Sequence, residues 1–205
     1  MRRLRFGYAA SLFAFVPGAA FAHPGHDVTT GFAHGVLHPL TGVDHILAMV
    51  TVGLFAAHLA GRFGQRALWL VPLSFVSMMV AGAGMAIQGI ELPFVETGIA
   101  LSVVALGAIV ALQTNVPLAA AMALTGFFAV FHGHAHGTEM PVDLSGFEYG
   151  AGFVAATAAL HASGIMLGLG LSRWAAPAMR RVLQVGGAAI ALAGLALLSG
   201  VIGSV

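Results

Sequence analysis

Long apolar runs separated by short polar punctuation dominate the chain. Six apolar segments stand out, at about 39–60, 67–88, 93–113, 116–136, 147–172 and 182–203. Between them lie Gly61 to Arg66, Gly89 to Pro93, Gln113 to Pro117, a longer Gly137 to Gly146 stretch, and Arg173 to Arg181. Each segment is near the ~20 residues a helix needs to cross roughly 30 Å of hydrocarbon. Backbone N–H and C=O groups in lipid must pair within the protein, which helices achieve locally. A membrane barrel would instead alternate apolar and polar positions over segments of about ten residues. Here Ala, Leu, Val and Gly run continuously, so the pattern predicts an all-α polytopic membrane bundle of six transmembrane helices.

The first residues follow another pattern. Arg2, Arg3 and Arg5 precede an apolar core from Phe6 to Val16, and Ala20-Phe21-Ala22 forms a small-x-small cleavage signal. The expected organisation is a cleaved signal peptide at 1–22, a short periplasmic histidine-containing N-terminus at 23–38, and a six-span transmembrane domain at 39–205. A cleaved signal leaves the mature N-terminus outside, and six spans return the C-terminus to the same side. Arg62, Arg66, Arg173, Arg180 and Arg181 then all fall in inner loops, as the enrichment of basic residues on the cytoplasmic side requires. The acidic residues Asp27, Asp44, Glu91, Glu96, Glu139, Asp143 and Glu148 fall in or near the outer half. Five or seven spans would put the two arginine clusters on opposite faces. The expected location is the bacterial inner membrane, with both mature termini periplasmic.

Composition narrows the chemistry. Hydrophobic residues make up 59% and charged residues 7%, against about a quarter charged in soluble domains. The net charge of +1, with no basic run beyond the N-terminus, leaves no footprint for nucleic acid. The absence of cysteine removes disulfides, thiolate ligands and cysteine nucleophiles, so a metal site would use nitrogen and oxygen. No P-loop supports use of a nucleotide. No prosthetic group is expected.

Against this background ten histidines require a reason, because polar side chains inside a membrane are costly and face a partner or a water-filled cavity. His23, His26, His34, His38 and His45 gather at the start, His132, His134 and His136 close the fourth span, and His161 lies inside the fifth. Pro39 suits a first helical turn and places His38 at its entrance. Beyond it Thr41, Gly42, His45, Met49, Val52 and Gly53 share one face by the spacing of three and four. Asp44 points elsewhere, in position to orient an imidazole on a neighbouring helix. At the end of span four, a helix would align His132, His136 and Glu139 on one stripe, with His134 facing away; Gly133 and Gly137 would equally allow this end to unwind and expose carbonyls. In span five Gly150, Thr157, His161, Gly164 and Gly168 share a face, a groove of small residues with one imidazole near the midplane. The His23 amine and imidazole with His26 would form a weak collecting site. His58, on the opposite face from His45, reads as structural.

The segments His38-Pro39-x-x-Gly42-x-Asp44-His45-x-Leu47-x-Met49-x-x-Val52-Gly53 and Phe131-His132-Gly133-x-Ala135-His136-Gly137-x-Glu139 resemble the paired signatures of the HupE/UreJ family. The likeness extends over essentially the whole mature chain. It implies a secondary permease for Ni²⁺, in some relatives Co²⁺, that supplies hydrogenase or urease. It also implies metal-handling roles for His38, Asp44, His45, His132, His136 and Glu139. The residues by themselves indicate a membrane bundle able to bind a divalent transition metal; transport rests on the resemblance. Two other classes compete: an intramembrane metal-dependent hydrolase, for which no HExxH helix is present, and a non-transporting metal sensor or assembly factor. Retained metal with hydrolysis of a lipid or peptide would mark the first, and absence of flux in liposomes the second. The expectation is a transporter and not an enzyme.

Overall fold

The computed structural model describes residues 31–140, 146–174 and 176–203, and every regular element among them is helical. A short α1 (Gly31–Leu37) and a 3-10 turn (His38–Leu40) lead into α2 (Val43–Phe63), α3 (Gln65–Ile87), α4 (Val95–Leu112), α5 (Leu118–Glu139), α6 (Gly146–Trp174) and α7 (Ala176–Gly203). The six helices α2 to α7 are each long and apolar enough to cross a membrane. The chain is therefore a multi-pass membrane bundle, as its hydropathy predicts. The signal peptide, His23 and His26 lie outside the described residues.

Several boundaries differ from the hydropathy reading, for local reasons. The Gly61 to Arg66 connection contracts to Gly64, since α2 continues to Phe63 and α3 starts at Gln65. Gly64 sits at φ +63°, a conformation glycine adopts without steric cost, and its amide still bonds the Ala60 carbonyl. The Arg173 to Arg181 connection is also almost wholly helical, because α6 runs to Trp174 and α7 begins at Ala176. At both places arginines extend the helix past its apolar stretch. Helix α1, inside the histidine-bearing N-terminal segment, has no hydropathy signal; Gly35 lies against the Tyr149 carbonyl and Gly152 against that of Phe32, fastening α1 to the start of α6.

Helix α2 is the hub. It pairs with α6 and also touches α3, α4, α5 and α7, while α3 pairs with α5 and α4 with α7. In lipid, helices gain no hydrophobic drive from meeting each other, so close van der Waals approach between small residues decides the pairing. A Cβ at Gly53 would strike the His161 carbonyl, and one at Gly164 the Val50 carbonyl, so α2 and α6 meet backbone to backbone. Gly82 against Val130, and Gly133 against Met79, seat α3 on α5 in the same way. Met49, Val52, Phe55 and Leu59 of α2 interlock with Val71, Phe75 and Met79 of α3 and Leu106 and Val110 of α4. The alternating helix directions put His38, His45, His136 and Glu139 at one end of the bundle, and Arg62, Arg66, Arg180 and Arg181 at the other.

Candidate metal centre

The two sequence motifs meet at the histidine-bearing end. The 3-10 turn presents His38, the first turn of α2 presents Asp44 and His45, and the last two turns of α5 present His132, His136 and Glu139. Helix α5 stays helical to Glu139, which settles the open choice at this end: His132, His136 and Glu139 do lie along one stripe. The flanking glycines serve packing instead of unwinding, since a Cβ at Gly133 would overlap the Met79 carbonyl and one at Gly137 would stand 2.7 Å from that of Ala83.

The ligand-type atoms of His38, His136 and Glu139 all lie within 4.8 Å of one another. The carboxylate Oε2 of Glu139 accepts from His38 Nε2 at 3.2 Å and stands 3.9 Å from His136 Nδ1. One ion with donors at about 2.0–2.2 Å spans roughly 4 Å between opposite ligands. Small rotations of His38 and the exposed Glu139 would close the remaining distance. These residues line a cavity of about 300 Å³ together with Asp44, His45 and Glu96.

Below this mouth the imidazoles continue inward. Ring centroids are 4.8 Å apart for His38 and His136, 4.3 Å for His136 and His45, and 4.8 Å for His45 and His132. The last three histidines are buried, and each keeps at least one ring nitrogen with no protein partner. Buried polar atoms are nearly always hydrogen-bonded, so such a run of free nitrogens calls for an explanation.

Neighbouring groups decide which nitrogens are free. Oδ1 of Asp44 accepts from both the backbone N–H and Nδ1 of His45, each at 2.9 Å. A carboxylate there requires the proton on Nδ1, which leaves the lone pair of Nε2 bare. This corrects the expectation that Asp44 serves an imidazole on another helix: it is bound to its own chain neighbour, because the first turn of α2 folds the carboxylate back over the His45 amide. At His132 the same selection comes from Ser102 of α4. Its hydroxyl donates to the Ile99 carbonyl at 2.6 Å, so its one proton is engaged, and the oxygen can only accept from His132 Nε2 at 2.8 Å. The bare atom of His132 is therefore Nδ1. Two carriers on different helices thus hold two imidazoles with one lone pair each available to a cation.

The other candidates separate. His134 faces away as expected, and its Nε2 bonds the Ile90 carbonyl at 2.9 Å. His34 stands beside the mouth, its ring 6.4 Å from that of His38 and 5.9 Å from that of Tyr149. Met49 is buried in the apolar core with Val52 and Phe55. His161 is buried below the cluster, beyond Phe75. The expected groove of small residues around it is not open: Gly164 and Gly168 are covered by α2, and Gly150 stands apart with no neighbour within 4 Å of where its Cβ would be. His58 lies at the arginine-bearing end, lining a cavity with Gln113 and Arg180.

Sequence reasoning missed Ser102, Glu96 and Tyr149. Ser102 stands in an unbroken apolar run and carries no motif. Tyr149 is buried with its hydroxyl unpartnered, its ring edge-on to those of His34 and His38. Glu96 is an exposed acid of the first turn of α4, and only its place on the cavity wall distinguishes it.

Comparison with known proteins identifies the family. Residues 11–197 match the family model described as HupE / UreJ protein. A curated relative, Protein HupE of Rhizobium leguminosarum bv. viciae, is 46% identical over 185 residues, covering 90% of this chain and 93% of its own. No solved structure matches. Both sequence motifs converge on one end of a six-span bundle, and the family match runs from the apolar start to the last span: the chain belongs to the HupE/UreJ family.

Proposed function

We propose that this chain is a secondary permease of the bacterial inner membrane that takes up a divalent transition metal, Ni²⁺ before Co²⁺, for delivery to metalloenzymes in the cytoplasm. The observation that carries this reading is the column of imidazoles from His38 to His132, with free buried nitrogens, opening to an acidic mouth at one end of a membrane-spanning bundle. Glu96, Glu139 and Asp44 attract the hydrated cation, and His38, His136 and Glu139 replace part of its water. His45 Nε2 and His132 Nδ1 then receive it in turn. The arginines at the opposite end support a cytoplasmic placement of that end, and with it a direction from outside to inside.

A membrane potential of 100 mV contributes about 2.3 kcal/mol per charge, hence about 4.6 kcal/mol for a divalent ion, so uptake down the potential needs no nucleotide. Imidazole binds metal only when neutral. Imidazole and carboxylate donors also suit Zn²⁺ and Cu²⁺, and affinity order alone favours copper. The preference for Ni²⁺ follows from the resemblance of the paired motifs.

The test is metal flux into proteoliposomes containing only this protein, for Ni²⁺, Co²⁺, Zn²⁺ and Cu²⁺, under an inside-negative potential. Wild-type protein should pass Ni²⁺, and His45→Ala and His132→Ala should not. Normal flux in both variants would refute the assigned column, and no flux in wild type would refute the permease.

A further inference from the structure

The imidazole column stops at His132, yet another buried imidazole lies beyond it. Phe75 of α3 separates the two: its ring centroid is 5.6 Å from that of His132 and 5.2 Å from that of His161, and it meets His161 nearly perpendicularly, at 87°. All three side chains are at most 2% exposed. Neither nitrogen of His161 has a protein partner. A neutral imidazole carries one N–H and one lone pair, and leaving both unpaired in the interior costs the full desolvation of each.

On its other side the buried His161 borders an open groove of about 610 Å³ between α3 and α6, which passes Pro72 and Leu68 to Gln65 at the arginine-bearing end and has the exposed side chains of Trp69, Leu73 and Met166 on its walls. Pro72 has no N–H to give the Leu68 carbonyl, so this wall also carries backbone polarity in an otherwise apolar passage. Met79 and Thr157, one turn from Phe75 and His161 on their respective helices, are both buried and in contact, the Thr157 hydroxyl lying 3.9 Å from the Met79 sulfur. Both lie toward the histidine-bearing end from Phe75 and His161, since α3 runs away from the arginine-bearing end and α6 toward it, and neither lines this groove. The histidine-lined outer column thus runs from its acidic mouth to one aromatic ring, with the unpartnered imidazole of His161 directly behind that ring.

Building on the transport reading, we propose that His161 is a second, inner cation-binding station and that the Phe75 ring is the gate between it and the outer column. With an imidazole and no carboxylate on the wall it borders, this station holds a divalent ion more weakly than the carboxylate-assisted mouth, as release toward the inner side requires. The moving part is the Phe75 side chain, because the surrounding backbones are locked by the Gly53 and Gly164 contacts.

The chain has no cysteine, so a His161→Cys variant introduces a sole thiol at the proposed station. Co²⁺ added to the purified full chain should produce a thiolate-to-cobalt charge-transfer band that wild type lacks. The band should develop several-fold faster with Phe75→Ala added and several-fold slower with Phe75→Trp. Ile165→Cys, one turn inward on the same face and bordering the same groove, provides a second thiol position should the first variant fold poorly. Absence of the band at both positions would overturn the station. A band whose rate ignores Phe75 would show entry by a route that bypasses the ring and overturn the gate. Wild-type flux in liposomes separates the two claims: flux without a band leaves the permease standing and removes the station, and a band without flux does the reverse.

Discussion

Ser102 shows how much a single hydroxyl decides here. Its one proton goes to the Ile99 carbonyl, which forces it to accept from His132 Nε2 and turns the Nδ1 lone pair outward. Removing such an orienting partner typically costs 10–100-fold in metal affinity. Ser102→Ala should therefore weaken Ni²⁺ binding by about tenfold or more, while Ser102→Thr, which keeps the hydroxyl, should restore it. Calorimetric titration of the detergent-solubilised protein measures both, and equal affinity in wild type and Ser102→Ala would refute the tautomer argument. Nothing in the local sequence marks Ser102, because its partner lies thirty positions away on another helix. Asp44 was visible as a functional acid next to His45, but its partner was not, since the fold of one helical turn directs the carboxylate onto the adjacent residue.

At the scale of elements, glycine contacts determine which helices meet and hence which histidines face each other. The α3–α5 seam depends on Gly133, whose missing Cβ leaves room for the Met79 carbonyl, and on Gly82 against Val130. A methyl group there must push backbone against backbone. Gly133→Ala should destabilise the bundle by about 1–3 kcal/mol, the usual cost of overpacking. Gly84→Ala, on the same helix as Gly82 but with nothing within 4 Å of its Cβ position, should be neutral or slightly stabilising. Thermal unfolding in detergent compares them, and equal melting temperatures would contradict the close-packed seam. The helix positions were legible from run length alone. Their ends were not, because polar arginines at 62, 66, 173, 180 and 181 continue helices whose hydropathy has already fallen.

For the whole molecule, the arrangement is polar along the membrane normal: histidines and carboxylates at one end, arginines at the other. If that polarity reflects insertion, a cysteine at Glu91 should react from outside in intact cells with a membrane-impermeant maleimide. A cysteine at Gln65 should react only after permeabilisation, both positions being exposed in the bundle. The opposite labelling would reverse the orientation and the direction of transport.

Run length against bilayer thickness determined the six spans, and the arginine distribution determined how they are expected to sit in the membrane. Two short motifs identified the family and pointed to candidate imidazole and carboxylate ligands. These follow from the sequence because each depends on spacing within one segment or on a property summed along it. Which imidazoles adjoin, which nitrogen of each is bare, and that Phe75 stands between His132 and His161 were decided by the tertiary structure alone. Those relations join residues on different helices, and they depend on the rotation and depth at which glycine-to-carbonyl contacts lock α2, α3, α5 and α6 together.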